Sequence, residues 1–259
     1  MRVVLTGATG SIGSSVLENL AYHGHDITLT IRNEEKGQEI VKRHYPRAHY
    51  ILFDININTA HQLADIAVGY DAIIHCVQQA FSQEGTEAEN LTVNALILAV
   101  KKTGETKHVS LVYTLGTGLC GNTNEIIDED HDDTSHSWDL AAPRGILEKK
   151  VINASTENVH GAALRVSWVY GKSFVDQWIR ACKTNNKIII GGNRDNSHMC
   201  FIHHEDLANM YRILIERRAY GLFFAVEPEA VTLQNLIERV STLGNIREIE
   251  RVNNPREHF

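Results

Sequence analysis

The stretch RVVLTGATGSIGSSVLENL, residues 2–20, constrains this chain more than any other. A short β-branched run leads into a turn with three glycines. The apolar residues Ile12, Val16, Leu17 and Leu20 then recur at helical spacing. Each glycine has its own reason. Gly7 permits a tight turn, Gly10 lets the backbone approach an anion, and Gly13 allows helix to pack closely on strand. The first turn of such a helix offers N–H groups without intrahelical partners and the positive end of the helix dipole. Thr9, Ser11 and Ile12 complete the loop, which reads as a cradle for a pyrophosphate. The alternative is a turn that is merely tight.

The pattern then repeats. DITLTI, AHYILFD, DAIIHCV and KHVSLVYT are strand-like, and amphipathic segments alternate with them. The longest, EAENLTVNALILAVKKTG, places Gly104 in a C-cap position. Alternation of this kind predicts right-handed crossovers and a Rossmann-type, doubly wound parallel sheet. Its strands are apolar on both sides, as a sheet covered on both faces requires. The whole chain, 1–259, reads as one dinucleotide-binding domain, with about 171–259 supplying most of a small C-terminal substrate lobe. GAALRVSWVYG reads as one strand, and EDLANMYRILIERR and GLFFAV as a helix and a strand of that lobe.

Composition excludes several classes. A formal net charge of −7 argues against a nucleic-acid binder. No apolar run approaches the ~20 residues of a membrane span, and the N-terminus enters a strand directly, so a cytoplasmic location is expected. Cys76, Cys120, Cys182 and Cys200 form no C-x-x-C pair and read as buried thiols. DEDHDD, 128–133, lacks the glycine and terminal Glu of a calcium loop, and no zinc spacing stands out, so no metal is expected.

The end of the second strand selects the dinucleotide. A carboxylate there would bond the adenosine ribose of NAD; this strand ends in Arg32, with Lys36 a helical turn later. A guanidinium suits a 2′-phosphate, so NADP is favoured over NAD, unless Arg32 is only a solvated loop charge. Asp54, with Ile55 beside it, is placed to meet the adenine edge or simply to cap a turn.

Several motifs now occur in order. TGATGSIG, FDI at 53–55, DAIIHCV, LTVNALILAV, LRVSWVYG at 164–171 and CFIHHEDLANM at 200–210 together resemble the extended short-chain dehydrogenase/reductase superfamily, specifically its NAD-dependent epimerase/dehydratase group. The resemblance covers nearly the whole chain. It implies that Cys76 and Val77 lie beneath the cofactor, that Asn94 is a buried Asn of its helix, and that a homodimer forms through the helices at 86–103 and 140–158. It also implies a catalytic Tyr-x-x-x-Lys on one helix face and a Ser or Thr after the fifth strand.

Here the sequence departs from the pattern it resembles. With Glu148 matched to the Glu that commonly follows the family's Lys by four, DLAAPRGILEKKV puts Leu140 at the Tyr position and Arg144 at the Lys position. No tyrosine anywhere in the chain has a lysine four residues on, so the dyad is absent in every register. YTLGTGLCG keeps Thr114 and Thr117 but places Leu115 or Gly116 where a hydroxyl is expected. Leu140 cannot transfer a proton. Arg144 stays charged, yet it can donate to a ribose diol or polarise a carbonyl. Tyr113 either reaches the site or turns into the core, and His131 and His136 are loop histidines able to act as acids. Tyr170, His203 and His204 read as packing residues.

Three functions are compatible with these residues. One is an atypical NADP(H)-dependent oxidoreductase acting on a small organic substrate, with Arg144, Thr114, Thr117 and Tyr113 as catalytic candidates. Another is an NADP(H)-binding sensor without turnover. The third is a non-redox cyclase, isomerase or lyase that reuses the pocket.

Overall fold

The computed structural model describes residues 1–44, 47–79, 82–121, 123, 125–130, 141–192 and 196–252. In chain order the elements are β1 (Arg2–Thr6), α1 (Ser11–Tyr22), β2 (Asp26–Ile31), α2 (Glu34–His44), β3 (Ala48–Leu52), α3 (Leu63–Ala67), β4 (Ala72–His75), α4 (Gln83–Gly104), β5 (Val109–Gly116), α5 (Ala142–Asn153), β6 (Val159–Val166), β7 (Trp168–Tyr170), α6 (Phe174–Asn185), β8 (Lys187–Gly191), β9 (His198–Met199), β10 (Phe201–His203), α7 (His204–Glu216), β11 (Gly221–Ala225), β12 (Val231–Thr232), α8 (Leu233–Gly244) and β13 (Glu248–Val252). They fall into two compact units, Met1–Val166 with Glu205–Ala225, and Ser167–His204 with Val226–Phe259.

The first unit is the expected doubly wound sheet. Seven strands lie in the order β11-β6-β5-β4-β1-β2-β3, and every neighbouring pair is parallel. Strand order reverses between β1 and β4, which opens a crevice at their C-terminal ends. Val3, Val4, Leu5, Ile27, Leu29, Ile73 and Ile74 are fully buried, so both faces of the central strands are covered. Each such side chain contributes about 1.5–3 kcal/mol on burial. The α1 helix turns Val16, Leu17 and Leu20 inward. The long α4 starts at Ser82, whose hydroxyl accepts from the Gly85 N–H at 3.0 Å.

Three expectations change. The segment 205–225 belongs to this unit: β11 pairs with β6 from Gly221↔Ala162 to Ala225↔Val166. The reason lies in β6, which is buried along nearly its whole length and needs a strand on that side. GAALRVSWVYG is two strands: β6 ends at Val166, and β7 pairs with β10 in the second unit. Gly104 is the last helical residue and Glu105 the C-cap; glycine is needed at 104 because a Cβ there would lie 2.5 Å from Val159 Cγ2.

The second unit holds three strand pairs, β7–β10 and β8–β13 parallel and β9–β12 antiparallel. Its α6 opens on a capping box of Ser173 and Asp176, and both α6 and α8 stop at a left-handed Asn, Asn186 and Asn245. Cys182, Ile188, Ile190, Leu233, Ile237, Val240 and Ile246 form its core. Tyr170 and His203 pack as expected, ring centroids 5.1 Å apart, and the Tyr170 hydroxyl donates to Glu227 Oε1 at 2.7 Å.

Candidate functional site

At the switch point the glycine loop has the geometry its spacing predicts. Gly7 has φ +78°, and a Cβ on it would lie 2.8 Å from the carbonyl carbon and oxygen of Cys76. A Cβ on Gly13 would lie 2.1 Å from the Gly7 carbonyl oxygen. The loop therefore closes against β1 and the end of β4 through backbone alone. The Gly10 N–H donates to Gly7 O at 2.9 Å, and the first intrahelical bond of α1 is from Ser14 N to Gly10 O. The N–H groups of Ser11, Ile12 and Gly13 precede that bond, and no acidic side chain occupies the first turn. Thr9, Gly10 and Ser11 are exposed. An anion can approach this backbone.

Beside the loop, Arg32 and Asp54 leave the ends of β2 and β3 facing one another. Arg32 Nε lies 3.8 Å from Asp54 Oδ1, with the side chains 81% and 55% exposed. Asn56 Nδ2 donates to Asp54 Oδ2 at 3.1 Å. Lys36 is exposed in the first turn of α2, its N–H donating to Asn33 Oδ1 at 2.9 Å. Ile55 is buried, and its carbonyl accepts from Gln79 Nε2 at 3.1 Å. Val77 packs on the core beneath the loop.

The C-terminal end of β5 carries two polar networks, one on each face of the sheet. On the α4–α5 face, Glu89 Oε1 accepts from the Tyr113 hydroxyl at 2.5 Å and from Arg144 Nε at 2.8 Å. Arg144 Nη2 donates to the Thr114 carbonyl at 2.8 Å. Tyr113 is buried, so it turns inward and does not reach the crevice as an acid. Burial pushes its phenol well above the usual range; the Arg144 charge opposes this and Glu89 adds to it. His75 stacks on Tyr113 at 5.9 Å and shares a 2.7 Å hydrogen bond with Thr6 Oγ1. Burial, helped by the Arg144 charge, holds His75 down at about 3, so it is neutral. On the opposite face, Thr114 Oγ1 lies 2.6 Å from the Tyr211 hydroxyl and 3.5 Å from Cys76 Sγ. Burial pushes the Cys76 thiol up to about 11, which makes it a poor nucleophile.

A third buried pair fixes the register of α5. Arg165 donates from Nε and Nη2 to the two carboxylate oxygens of Glu148, at 2.7 and 2.6 Å, and neither side chain is more than 3% exposed. Glu148 is thus a fixed point from which Arg144 lies one turn earlier, at the start of the helix beside Pro143.

The structure brings Tyr113, Thr114 and Arg144 together at β5. Thr117 stands apart, in a short 3-10 turn, Thr117–Cys120, after the strand. Asn94 is corrected: it is exposed, bonded to Asn90 and to Lys150 Nζ at 3.3 Å each, because it points off the apolar stripe of α4. The buried charged residue of that helix is Glu89, beside the buried Thr92 and Thr103, and sequence reasoning missed it. Leu140, His131 and His136 lie outside the described residues. Among the described residues no cluster could hold a metal, and no helix is long and apolar enough to cross a membrane.

A seven-stranded parallel sheet with a glycine-built anion loop at its switch point defines a dinucleotide-binding Rossmann-type protein. The profile of the NAD dependent epimerase/dehydratase family matches residues 3–222, and the chain belongs to that family. Two curated relatives are an uncharacterized protein of Saccharomyces cerevisiae, 24% identical over 95% of this chain and 81% of its own, and vestitone reductase of Medicago sativa, 21% identical over 93% and 80%. Among solved structures, dTDP-glucose 4,6-dehydratase of Bacillus anthracis in complex with NAD superposes with a TM-score of 0.79 at 16% identity, covering 98% of this chain and 85% of that one. The UDP-glucose 4-epimerase of Thermus thermophilus in complex with NAD gives 0.75 at 17%, covering 99% and 91%. At these identities the likeness is one of fold.

Proposed function

We propose that the chain binds NADP(H) across the ends of β1, β2 and β4 and acts as an atypical oxidoreductase on a small organic substrate. The observation that carries this reading is the loop of Gly7, Gly10 and Gly13, in which Gly7 and Gly13 make backbone approaches that a Cβ would forbid and Gly10 leaves open space ahead of the helix. The cofactor would supply hydride at its nicotinamide. This chain's residues hold it: N–H groups of the first α1 turn at the pyrophosphate, Asp54 and Ile55 near the adenine, and Arg32 with Lys36 at the 2′-phosphate. Arg144 donates toward the nicotinamide end. Tyr113 and Arg144 cannot act as acids at neutral pH, so the proton comes from elsewhere. A substrate with an activated C=C or C=N bond fits best, since it demands less of a dedicated acid.

One observation favours a second reading, cofactor binding without turnover. Tyr113, Thr114 and Arg144, three of the four catalytic candidates, bond to one another or to buried partners.

Fluorescence titration with NADPH and NADH tests the binding, and a panel of enones, imines and carbonyls tests turnover. Charge-assisted hydrogen bonds contribute about 1.5–3 kcal/mol, so Arg32→Asp should weaken NADPH about tenfold or more and NADH far less. Equal losses would remove the assignment of Arg32.

A further inference from the structure

Arg144 is held at two points. Its Nε donates to Glu89 at 2.8 Å, its Nη2 to the Thr114 carbonyl at 2.8 Å, and its charged carbon lies 5.5 Å from the Tyr113 ring centroid. A guanidinium is planar and rigid, so two fixed nitrogens fix the third. That third nitrogen, Nη1, has no hydrogen-bond partner among the described residues. The side chain keeps 14% exposure, while Glu89 keeps 6%. Glu89 thus lies behind the arginine and uses one oxygen for both Nε and the Tyr113 hydroxyl.

We propose that Glu89 is the positioning residue of the site. Its buried carboxylate grips the Nε edge of Arg144 and leaves Nη1 as the donor offered to the nicotinamide half of the cofactor. This rests on the reading that a dinucleotide binds. It adds that α4, a helix outside the glycine loop, sets the geometry of the far half of the ligand. It also requires arginine in particular: a lysine ammonium at 144 is a single point and cannot be held from one edge while donating from another.

The test separates the two halves of the ligand. NADPH and adenosine 2′,5′-bisphosphate are titrated against the wild type, Glu89→Gln and Arg144→Lys. The bisphosphate carries the adenosine half only and reaches the glycine loop and Arg32 but not Arg144. The expected result is NADPH weakened about tenfold in both variants, equivalent to ~1.4 kcal/mol, with the bisphosphate unchanged. If Glu89→Gln folds poorly, the apolar pair Glu89→Leu with Arg144→Met replaces it, since exchange of a buried ion pair for apolar side chains is commonly tolerated. That pair is expected to give the same split between the ligands. Unchanged NADPH affinity, or equal loss of both ligands, would overturn the role of Glu89 and leave dinucleotide binding standing. Failure of the wild type to bind either ligand would overturn both.

Discussion

Gly10 and Gly13 sit three residues apart in one loop, in opposite steric surroundings. A methyl at Gly13 would lie 2.1 Å from the Gly7 carbonyl oxygen and 2.6 Å from its carbon, inside the 3.0 Å that real Cβ atoms keep. Both obstacles are backbone, so no rotamer change relieves them. Overpacking of this kind costs about 1–3 kcal/mol and more against rigid atoms; the gain of about 1 kcal/mol for Ala over Gly in a helix offsets only part. A methyl at Gly10 meets one atom within 4 Å, the same oxygen at 3.3 Å, and its φ of −83° suits any residue. It points instead into the open space where a pyrophosphate would lie. Gly13→Ala should therefore lose roughly 2 kcal/mol net and lower Tm by roughly 4–8 °C, at about 2–4 °C per kcal/mol for a chain near this size. Gly10→Ala should keep its Tm and weaken NADPH about tenfold or more, by ~1.4 kcal/mol per decade. Differential scanning calorimetry and fluorescence titration read the two effects. A Gly13→Ala protein as stable as wild type, or a Gly10→Ala protein of undiminished affinity, would refute the division of roles.

Glu148→Gln should cost about 3–5 kcal/mol in urea unfolding, because it strands the fully buried Arg165 charge; a loss below about 1 kcal/mol would mean that the pair is not buried as described. His75 gives the pH dependence. Its pKa is about 3 in the folded chain against 6.5 unfolded, so the unfolded state binds the extra proton. Its contribution is fully present above pH 6.5 and falls as pH drops from there toward 3, by about 1.4 kcal/mol per unit, or roughly 2 kcal/mol at pH 5. His75→Phe keeps the stack on Tyr113 and removes the titration, so its stability should fall less steeply between pH 6.5 and 5. Parallel curves for the two proteins would contradict a neutral buried histidine.

What was legible in the sequence was local. The glycine loop announces itself because each close approach is made within a few residues or to the neighbouring strand. β2, read as DITLTI, has the same bounds in the structure. GLFFAV says that a strand forms, not which strand it pairs with, so the place of β11 in the first unit is not legible in it. Partner choice depended on β6, about sixty residues earlier, needing cover on its open side. The resemblance points to Asn94 as a buried Asn of α4. The helical period gives a different answer: Thr92, Val93, Leu96 and Val100 define the buried stripe of α4, and Glu89 lies on it while Asn94 does not. An acid on an apolar stripe demands a buried cation. That signal was present in the sequence, and Arg144 was the cation.

Arg144 and Glu89 are physically connected. An arginine at 144, part-buried at the start of α5, is unfavourable near the positive end of the helix dipole and needs a counter-charge. Glu89 supplies it. The pair is not needed to dock α5 on the sheet, because the bidentate bond of Glu148 to Arg165 and the burial of Leu147 and Val151 already do that. Nor does a buried ion pair stabilise a fold better than apolar side chains of like size. Glu89 and Arg144 are therefore better explained by what they hold in place than by what they hold together. A charge fixed at two nitrogens, with a third to donate, is preorganised for a ligand; the same charge without Glu89 would be neither fixed nor compensated.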